Sequence, residues 1–356
     1  MLRAVKKNEI ITGMKPLGLA WGRRLYYVRP PVPLLGSIAF GVIDRGTNVL
    51  QVRPTTLCPL NCIFCSVDAG PRSRLRQAEY IVDPHWLVEW VKVIAAYKQV
   101  HVEALIDGVG EPLTYPYIVE LVAMLKRTPG VKTVAIETHG ATLNYKLILK
   151  LNDAGLDRIN LSIDTLNTEK AKMLTGVEWY DVNRVMRLAE FIAKETDIDL
   201  HVTPVWLPGV NDKDVVDVVK WAIRIGAGKK WPPVTIQKYI AHKYGRKPKG
   251  VREVSWHHFW RWLSDLEKRI GVKLHYSMDE WGMMYAKKVP EPYKRGEIIE
   301  ATIISLGWLK NELLAVDNEC KRIITIILRD NELKIGETVR ARIIRSRDNI
   351  YIAELV

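Results

Sequence analysis

Between residues 48 and 239 the chain alternates short runs of β-branched and aliphatic residues with longer stretches whose apolar positions recur every three or four residues. The short runs, at 49–55, 102–107, 133–138, 158–163, 200–205 and 234–239, read as strands, and the stretches 84–97, 115–127, 145–153, 181–194 and 213–225 read as amphipathic helices. Strand and helix in alternation imply a parallel sheet flanked by helices. Six such units are too few to close an eight-unit barrel, so an α/β fold in the form of an open, partial (β/α)6 TIM-like barrel is expected. Another amphipathic helix covers 256–270, and VPEPYKRG at 289–296 then breaks the pattern as a linker. Beyond it the period falls to two in EIIEATIISL, ELLAV, RIITIIL, TVRARIIRS and NIYIAEL, with Gly, Asn or Asp between them. Consecutive short strands of this kind predict a small β-barrel, and the linker predicts that it is separable. The organisation read from the pattern is an N-terminal extension at 1–45, an α/β catalytic domain at 46–288 and a barrel domain at 294–356.

Charge adds a partner class. Lys and Arg number 53 against 40 Asp and Glu, a formal +13, which favours a polyanion such as tRNA or rRNA and equally suits a hot habitat or plain solubility. A chain 48% hydrophobic and 26% charged is ordinary globular protein, which excludes disorder. The basic opening MLRAVKK leads into no apolar run of signal-peptide length, and no stretch approaches the roughly 18 apolar residues of a membrane span, so a cytoplasmic location without a membrane partner is expected. Of four cysteines, three fall within eight residues, which suits a metal site in a reducing compartment better than a disulfide framework.

Those three are Cys58, Cys62 and Cys65, spaced C-x3-C-x2-C in QVRPTTLCPLNCIFCSVDAG directly after the first strand of the alternating series. Thiolates are soft ligands suited to iron–sulfur clusters, and three of them hold three irons of a four-iron cube while leaving the fourth open. The alternative is zinc, which prefers four ligands in a structural site; no fourth Cys or His with suitable spacing lies nearby. Both the spacing and the aromatic Phe64 just before the third cysteine resemble the radical S-adenosylmethionine (SAM) superfamily. After the second strand, ALIDGVGEPLTYP places Gly108, Gly110, Glu111 and Pro112 in a string similar to that family's Gly-Gly-Glu-Pro signature.

The resemblance implies a [4Fe–4S] cluster on Cys58, Cys62 and Cys65, with SAM on its open iron and Phe64 near the adenine. It implies that Gly108, Gly110 and Glu111 receive the methionyl end, and that Thr138, Ser162 and Asn211, at strand ends, also contact SAM. The implied reaction is reductive cleavage of SAM to methionine and a 5′-deoxyadenosyl radical, with an electron from a donor such as ferredoxin or flavodoxin. Ser, Thr and Asn favour turns in any case, and a Gly-x-Gly-Glu-Pro string also suits a turn feeding a helix. Asp164, His139 and Gln237 are expected at the same mouth, and no residue is assigned a catalytic acid–base role.

At the other end, GEIIEATIISLG, ELLAVDN and GETVRARIIRSRDNIYIAEL resemble the TRAM domain, a small OB-like barrel that binds RNA in several families. That resemblance implies phosphate contacts at Arg340, Arg342, Arg345 and Arg347, joined by Lys310 and Trp308; a solvated, charge-balanced face is the alternative. A second basic stretch, 224–252, has no acidic residue and interleaves Trp231, Tyr239 and Tyr244, as a polyanion groove would. Together the signatures resemble archaeal radical SAM proteins with a C-terminal TRAM domain. Only Cys320 lies outside the cluster motif, which argues against a two-cluster methylthiotransferase and against a dual-cysteine methyl synthase. The expected function is a radical SAM enzyme modifying RNA, with no DNA partner. A radical SAM enzyme for a small molecule, lipid or peptide, and a non-catalytic iron–sulfur RNA-binding redox sensor, stay open.

Overall fold

The computed structural model describes residues 7–329 and 333–356; the first residues of the basic opening, 1–6, and 330–332 within the barrel segment lie outside the described residues. Packing divides the chain into two units, one of residues 1–57, 74–132 and 285–356, the other of residues 58–73 and 133–284. Whereas the sequence pattern set boundaries at 45/46 and 288/294, the extension and the barrel pack with the first half of the α/β region.

In the first unit, strand Val49–Arg53 runs parallel to Val102–Ile106 and antiparallel to an edge strand, Gly41–Asp44, that the alternating pattern did not predict. Helix Pro84–Lys98 begins where Asp83 accepts the Trp86 N–H and Pro84 supplies a helix-ready φ, and it buries Leu87, Val91, Ile94 and Ala95 along one stripe. Helix Ile118–Lys126 starts later than expected because Pro112–Thr114 forms its own tight turn ahead of it.

The extension is a hairpin of Met14–Ala20 and Arg23–Val28, its second strand parallel to Ala78–Val82. The barrel consists of Ile298–Leu306, Glu312–Asp317, Ile323–Ile327, Thr338–Arg345 and Ile352–Leu355, closed in the order 1-2-3-5-4 with the third and fifth strands parallel, an OB-like arrangement. Ala301, Ile303, Ala315, Ile324, Ile343 and Tyr351 fill it.

The expected separable linker is instead fastened down. Val289 donates its N–H to Asp44 and accepts from Asn349, Arg322 holds the Pro290 carbonyl, and Tyr293 donates to Asp317. Buried Asp44 also pairs with buried Lys98 at 2.8 Å. Nor does the extension stop short of the barrel: Leu35 and Gly36 carbonyls accept the N–H groups of Ile323 and Tyr351. Gly36, at φ 120°, has no alternative, since a Cβ there would lie 2.0 Å from the Ile323 oxygen.

In the second unit, residues 133–138 of strand Val131–Thr138 run parallel to Arg158–Leu161, which runs parallel to Asp199–Val202. Helices Tyr145–Asp153, Thr168–Thr175, Val182–Glu195 and Trp256–Ile270 begin at Asn144, Asn167, Asp181 and Ser255, each accepting an N–H of the first turn. Helix Asp212–Ile225 buries Val215, Val218, Val219 and Ala222. The expected sixth strand, 234–239, is reduced to a bridge from Val234 to Val202 and the pair Gln237–Lys238. Pro232 and Pro233, which lack N–H groups, precede it, and Val202 bonds to the Pro233 carbonyl instead. Among the described residues no helix is long and apolar enough to cross a membrane.

Candidate cofactor site

The cysteine loop belongs to the second unit and has almost no regular structure of its own. Its shape comes from neighbours: Asn61 and Ile63 donate N–H groups to the Thr175 and Leu174 carbonyls at the end of helix Thr168–Thr175, and the Asn61 side chain accepts the Arg72 N–H. Arg246 supplies the rest. Its backbone N–H reaches the Cys65 carbonyl at 2.8 Å, while its guanidinium bonds to Asp68 at 2.8 Å, to the Cys62 carbonyl at 3.0 Å and to the Ala69 carbonyl. Motif spacing points to the thiols and is silent about this arginine, which lies 181 residues beyond Cys65 in a run read as a polyanion groove.

Cys58 and Cys62 are buried, Cys65 is half-buried, and all three are free thiols. Ala69 donates its N–H toward Cys65 Sγ at 3.2 Å. Burial pushes the Cys62 thiol well above its ordinary value; Cys58, Cys65 and Asp164 push the same way, and Arg246 opposes them. Three crowded thiolates are therefore costly alone and are relieved by a cationic iron–sulfur core, so these residues fit the cluster. Among the described residues no group of three or more His, Cys, Asp or Glu side chains is placed to hold a single metal ion. Phe64, between two of the cysteines, is buried.

The glycine loop after Val102–Ile106 belongs to the first unit. Glu111 is buried; its N–H bonds to the Leu57 carbonyl at 2.8 Å, and its carboxylate accepts the Leu113 N–H at the head of the Pro112–Thr114 turn. Gly108 and Gly110 press on the backbone of residues 55–57, where a Cβ on Gly110 would lie 2.5 Å from the Leu57 oxygen. The Thr114 hydroxyl donates to the Leu57 and Glu111 carbonyls. Buried Arg76 holds the Val109 carbonyl inside this loop and the Thr56 carbonyl beneath it.

At the strand ends of the second unit, Thr138 Oγ1 accepts the Gly140 N–H, and Ser162 Oγ lies 3.1 Å from Thr203 Oγ1. His139 Nδ1 lies 3.2 Å from the Ser162 carbonyl. Asp164 accepts the Val205 N–H, and burial raises its pKa against the opposing effects of His139 and that hydrogen bond. These four groups come together. Gln237 is exposed on its short strand. Asn211 is fully buried: its amide donates to the Asp164 and Val205 carbonyls, and its oxygen accepts the Leu207 N–H, closing the turn before helix Asp212–Ile225.

On the barrel, Arg340, Arg342, Arg345 and Arg347 are exposed, but Arg340 pairs across the sheet with Glu300 and Arg342 with Glu354, and Arg347 lies beside Asp348. Trp308, expected to offer a stacking surface, is buried instead, over the Arg76 guanidinium. The basic stretch 224–252 divides. Lys229 caps the Ile192, Thr196 and Ile198 carbonyls, Trp231 packs on Arg158, and buried Lys238 pairs with Glu253 at 2.5 Å. His242, Lys243, Tyr244, Lys247, Lys249 and Arg252 are exposed on one loop that Arg246 fastens to the cysteine segment.

Residues 52–222 match the Radical SAM superfamily. The chain is 39% identical over 356 aligned residues to an uncharacterized protein of Methanocaldococcus jannaschii, covering 94% of this chain and 81% of that one. It is 30% identical over 189 residues to GTP 3′,8-cyclase of Aquifex aeolicus, covering 52% of this chain and 55% of that enzyme, so it spans only about half of that relative. In fold it is similar to Streptococcus suis SuiB, seen in a crystal structure bound to precursor peptide SuiA, with a TM-score of 0.50 at 17% identity over 65% of this chain and 48% of that one. With the cysteine spacing and the parallel strands carrying it, this chain belongs to the radical SAM superfamily, whose cofactors are a [4Fe–4S] cluster and S-adenosylmethionine.

Proposed function

We propose that this enzyme holds its cluster on Cys58, Cys62 and Cys65, binds the methionyl end of SAM at the 108–111 loop, and modifies RNA. When bound, the cluster supplies the electron that splits SAM into methionine and a 5′-deoxyadenosyl radical, drawn in turn from a donor such as ferredoxin or flavodoxin. The chain's own residues do the rest. Burial of Cys58 and Cys62 keeps water from the thiolates, and Arg246 fixes the backbone carrying them. Gly108 and Gly110 let backbone carbonyls approach a ligand, and the Glu111 carboxylate suits the SAM ammonium. Thr138, Ser162 and Asp164 are polar groups at the strand ends.

The observation that carries RNA as substrate is the exposed loop with Lys243, Tyr244, Lys247, Lys249 and Arg252, attached through Arg246 to the cysteine segment. Cations that make no ion pair among the described residues, interleaved with an exposed tyrosine beside a reactive centre, are what a phosphate backbone and a stacked base require. The OB-like barrel supports a TRAM-like role, with Arg345 as its cation least offset by acids. A second reading, a free nucleotide as substrate, is favoured by the likeness to GTP 3′,8-cyclase, which covers about half of each chain.

The test is a comparison of nucleosides from total RNA of wild-type and deletion strains by mass spectrometry, with complementation by the wild type, by Cys62→Ala and by a Lys243→Glu, Lys247→Glu, Lys249→Glu triple variant. One nucleoside missing from the deletion strain, restored only by the wild type, is expected. In vitro, the triple variant is expected to lower the slope of log affinity against log salt by about 0.7 for each single-stranded phosphate it no longer neutralises. An unchanged nucleoside profile, with structured RNA bound no more tightly than by the triple variant, overturns the RNA reading and leaves the nucleotide one.

A further inference from the structure

A fully buried charge network in the first unit lies between the barrel and the glycine loop, and neither the superfamily match nor the cysteine motif accounts for it. Glu79, fully buried, accepts from Arg23 at 2.9 Å, from Arg76 at 3.2 Å and from the Thr56 hydroxyl at 2.5 Å. Arg76, whose side chain has no solvent exposure, spends its other hydrogen bonds on the Thr56 and Val109 carbonyls. Its guanidinium carbon lies over the Trp308 ring, 4.7 Å from the ring centre. Trp308 sits in the turn between the first two barrel strands, which is stitched to the Arg76 segment by backbone: Gln77 donates to the Trp308 carbonyl and Lys310 to the Leu75 carbonyl.

Trp308 also carries a cost: its indole N–H is buried and has no acceptor among the described residues. A buried donor without a partner is destabilising, so a phenylalanine would fill this place with less penalty if only bulk were required. What tryptophan adds is the strongest ring face for a cation.

We propose that the barrel positions the 108–111 loop through Trp308 and Arg76, making it part of the SAM site rather than an appendage. Trp308 holds the guanidinium from the ring side and Glu79 holds it by a hydrogen bond; the guanidinium in turn sets the Val109 carbonyl and, through Thr56, the backbone on which Gly110 and Glu111 rest. Arg76 and Trp308 act through the loop and are positioning residues. This rests on the reading that the 108–111 loop receives SAM.

The experiment compares Trp308→Leu, Trp308→Phe, Arg76→Lys and Glu111→Ala in the full chain. The readouts are SAM affinity, KM and kcat for reductive SAM cleavage, iron content, and hydrogen exchange at the Glu111 amide in cofactor-free protein. Trp308→Leu is expected to weaken SAM binding and raise KM about tenfold, the equivalent of one desolvated cation–π contact, with kcat and iron content held. Its Glu111 amide should exchange faster. Trp308→Phe, which keeps a weaker ring face, should fall between wild type and Trp308→Leu, and Arg76→Lys, which keeps the charge and loses the fork, should resemble Trp308→Leu. If Glu111→Ala weakens SAM binding while Trp308→Leu leaves affinity and Glu111 exchange unchanged, the positioning role is overturned. If Trp308→Leu and Trp308→Phe are equally impaired, the tryptophan is packing and the proposal again falls. If Glu111→Ala itself leaves SAM affinity unchanged, it is the assignment of the loop that fails.

Discussion

Replacing Arg246 by Ala removes three side-chain hydrogen bonds from the cysteine loop while sparing the backbone bond to Cys65. The pair with Asp68 is largely shielded, with side chains 18% and 6% exposed. Breaking a buried pair by deleting one partner costs about 3 to 5 kcal/mol, and the residual exposure of Arg246 puts this case at the lower end, about 3 kcal/mol. Two carbonyls that lose a charged donor, those of Cys62 and Ala69, add about 1 kcal/mol between them if water reaches one of them. A total near 4 kcal/mol falls on a loop with almost no regular structure of its own, so its effect is local opening before global unfolding. The assay is iron release to a ferrous chelator from the anaerobically reconstituted protein, with urea denaturation of cofactor-free protein in parallel. Iron should leave Arg246→Ala at least about tenfold faster than wild type, the variant should unfold at lower urea, and Arg246→Lys should fall between. Wild-type release rates together with an unchanged denaturation midpoint would refute the reasoning, because they would mean that the guanidinium neither stabilises the fold nor retains the cluster.

Two further expectations concern pH. Burial lowers the pKa of His201 from 6.5 to about 3, with Arg158 acting the same way against the Pro232 carbonyl, so the folded chain keeps this ring neutral where the unfolded chain takes up a proton. Stability should then fall as pH drops from 6.5 towards 3, by at most about 1.4 kcal/mol per unit, and His201→Gln should flatten that limb in urea titrations; an unaltered slope would remove His201 as its cause. Burial raises the pKa of Glu312 from 4.5 to about 7, so the unfolded chain ionises first and stability should fall as pH rises from 4.5 to 7. Glu312→Gln, which keeps an acceptor for the Leu309 N–H, should be more stable than wild type above pH 7 and equal to it near pH 4.

Elements governed by local rules were legible in the chain. Helix Val182–Glu195 shows why: Asp181 marks its start and Val182, Val185, Leu188, Ala189 and Ile192 recur at helical spacing, so cap and stripe agree. The cysteine triplet was legible for a similar reason, since its chemistry needs one short spacing. Where tertiary partners decide, local reading went astray. That Asn211 braces the turn before helix Asp212–Ile225 depends on the path of the Val205 and Asp164 carbonyls, which its own position in the sequence does not reveal. Trp308 looked like an exposed platform because its burial depends on Arg76, 232 residues earlier. In the stretch 224–252 the periodicity cannot separate Lys238, paired in the interior, from Lys247 and Lys249 in solvent.

The same long-range ties decide how the RNA-binding role proposed for the barrel has to be tested. The pattern around VPEPYKRG suggested that residues 294–356 could be removed with the rest intact, yet the barrel donates hydrogen bonds to the Leu35 and Gly36 carbonyls, covers Arg76 with Trp308 and accepts the Tyr80 hydroxyl at the Leu306 carbonyl. Truncation would remove the Leu306 carbonyl from the buried Tyr80 hydroxyl and the Trp308 ring from the Arg76–Glu79 network. A loss of RNA binding in a truncated chain would therefore carry no information about RNA, because it would accompany a loosened 108–111 loop. Exposed cations distant from these ties separate the two effects. Arg345 and Lys243 reach solvent without serving the fold, whereas Arg246 and Lys238 do serve it, so charge reversal at the first pair reads phosphate contact and reversal at the second reads stability.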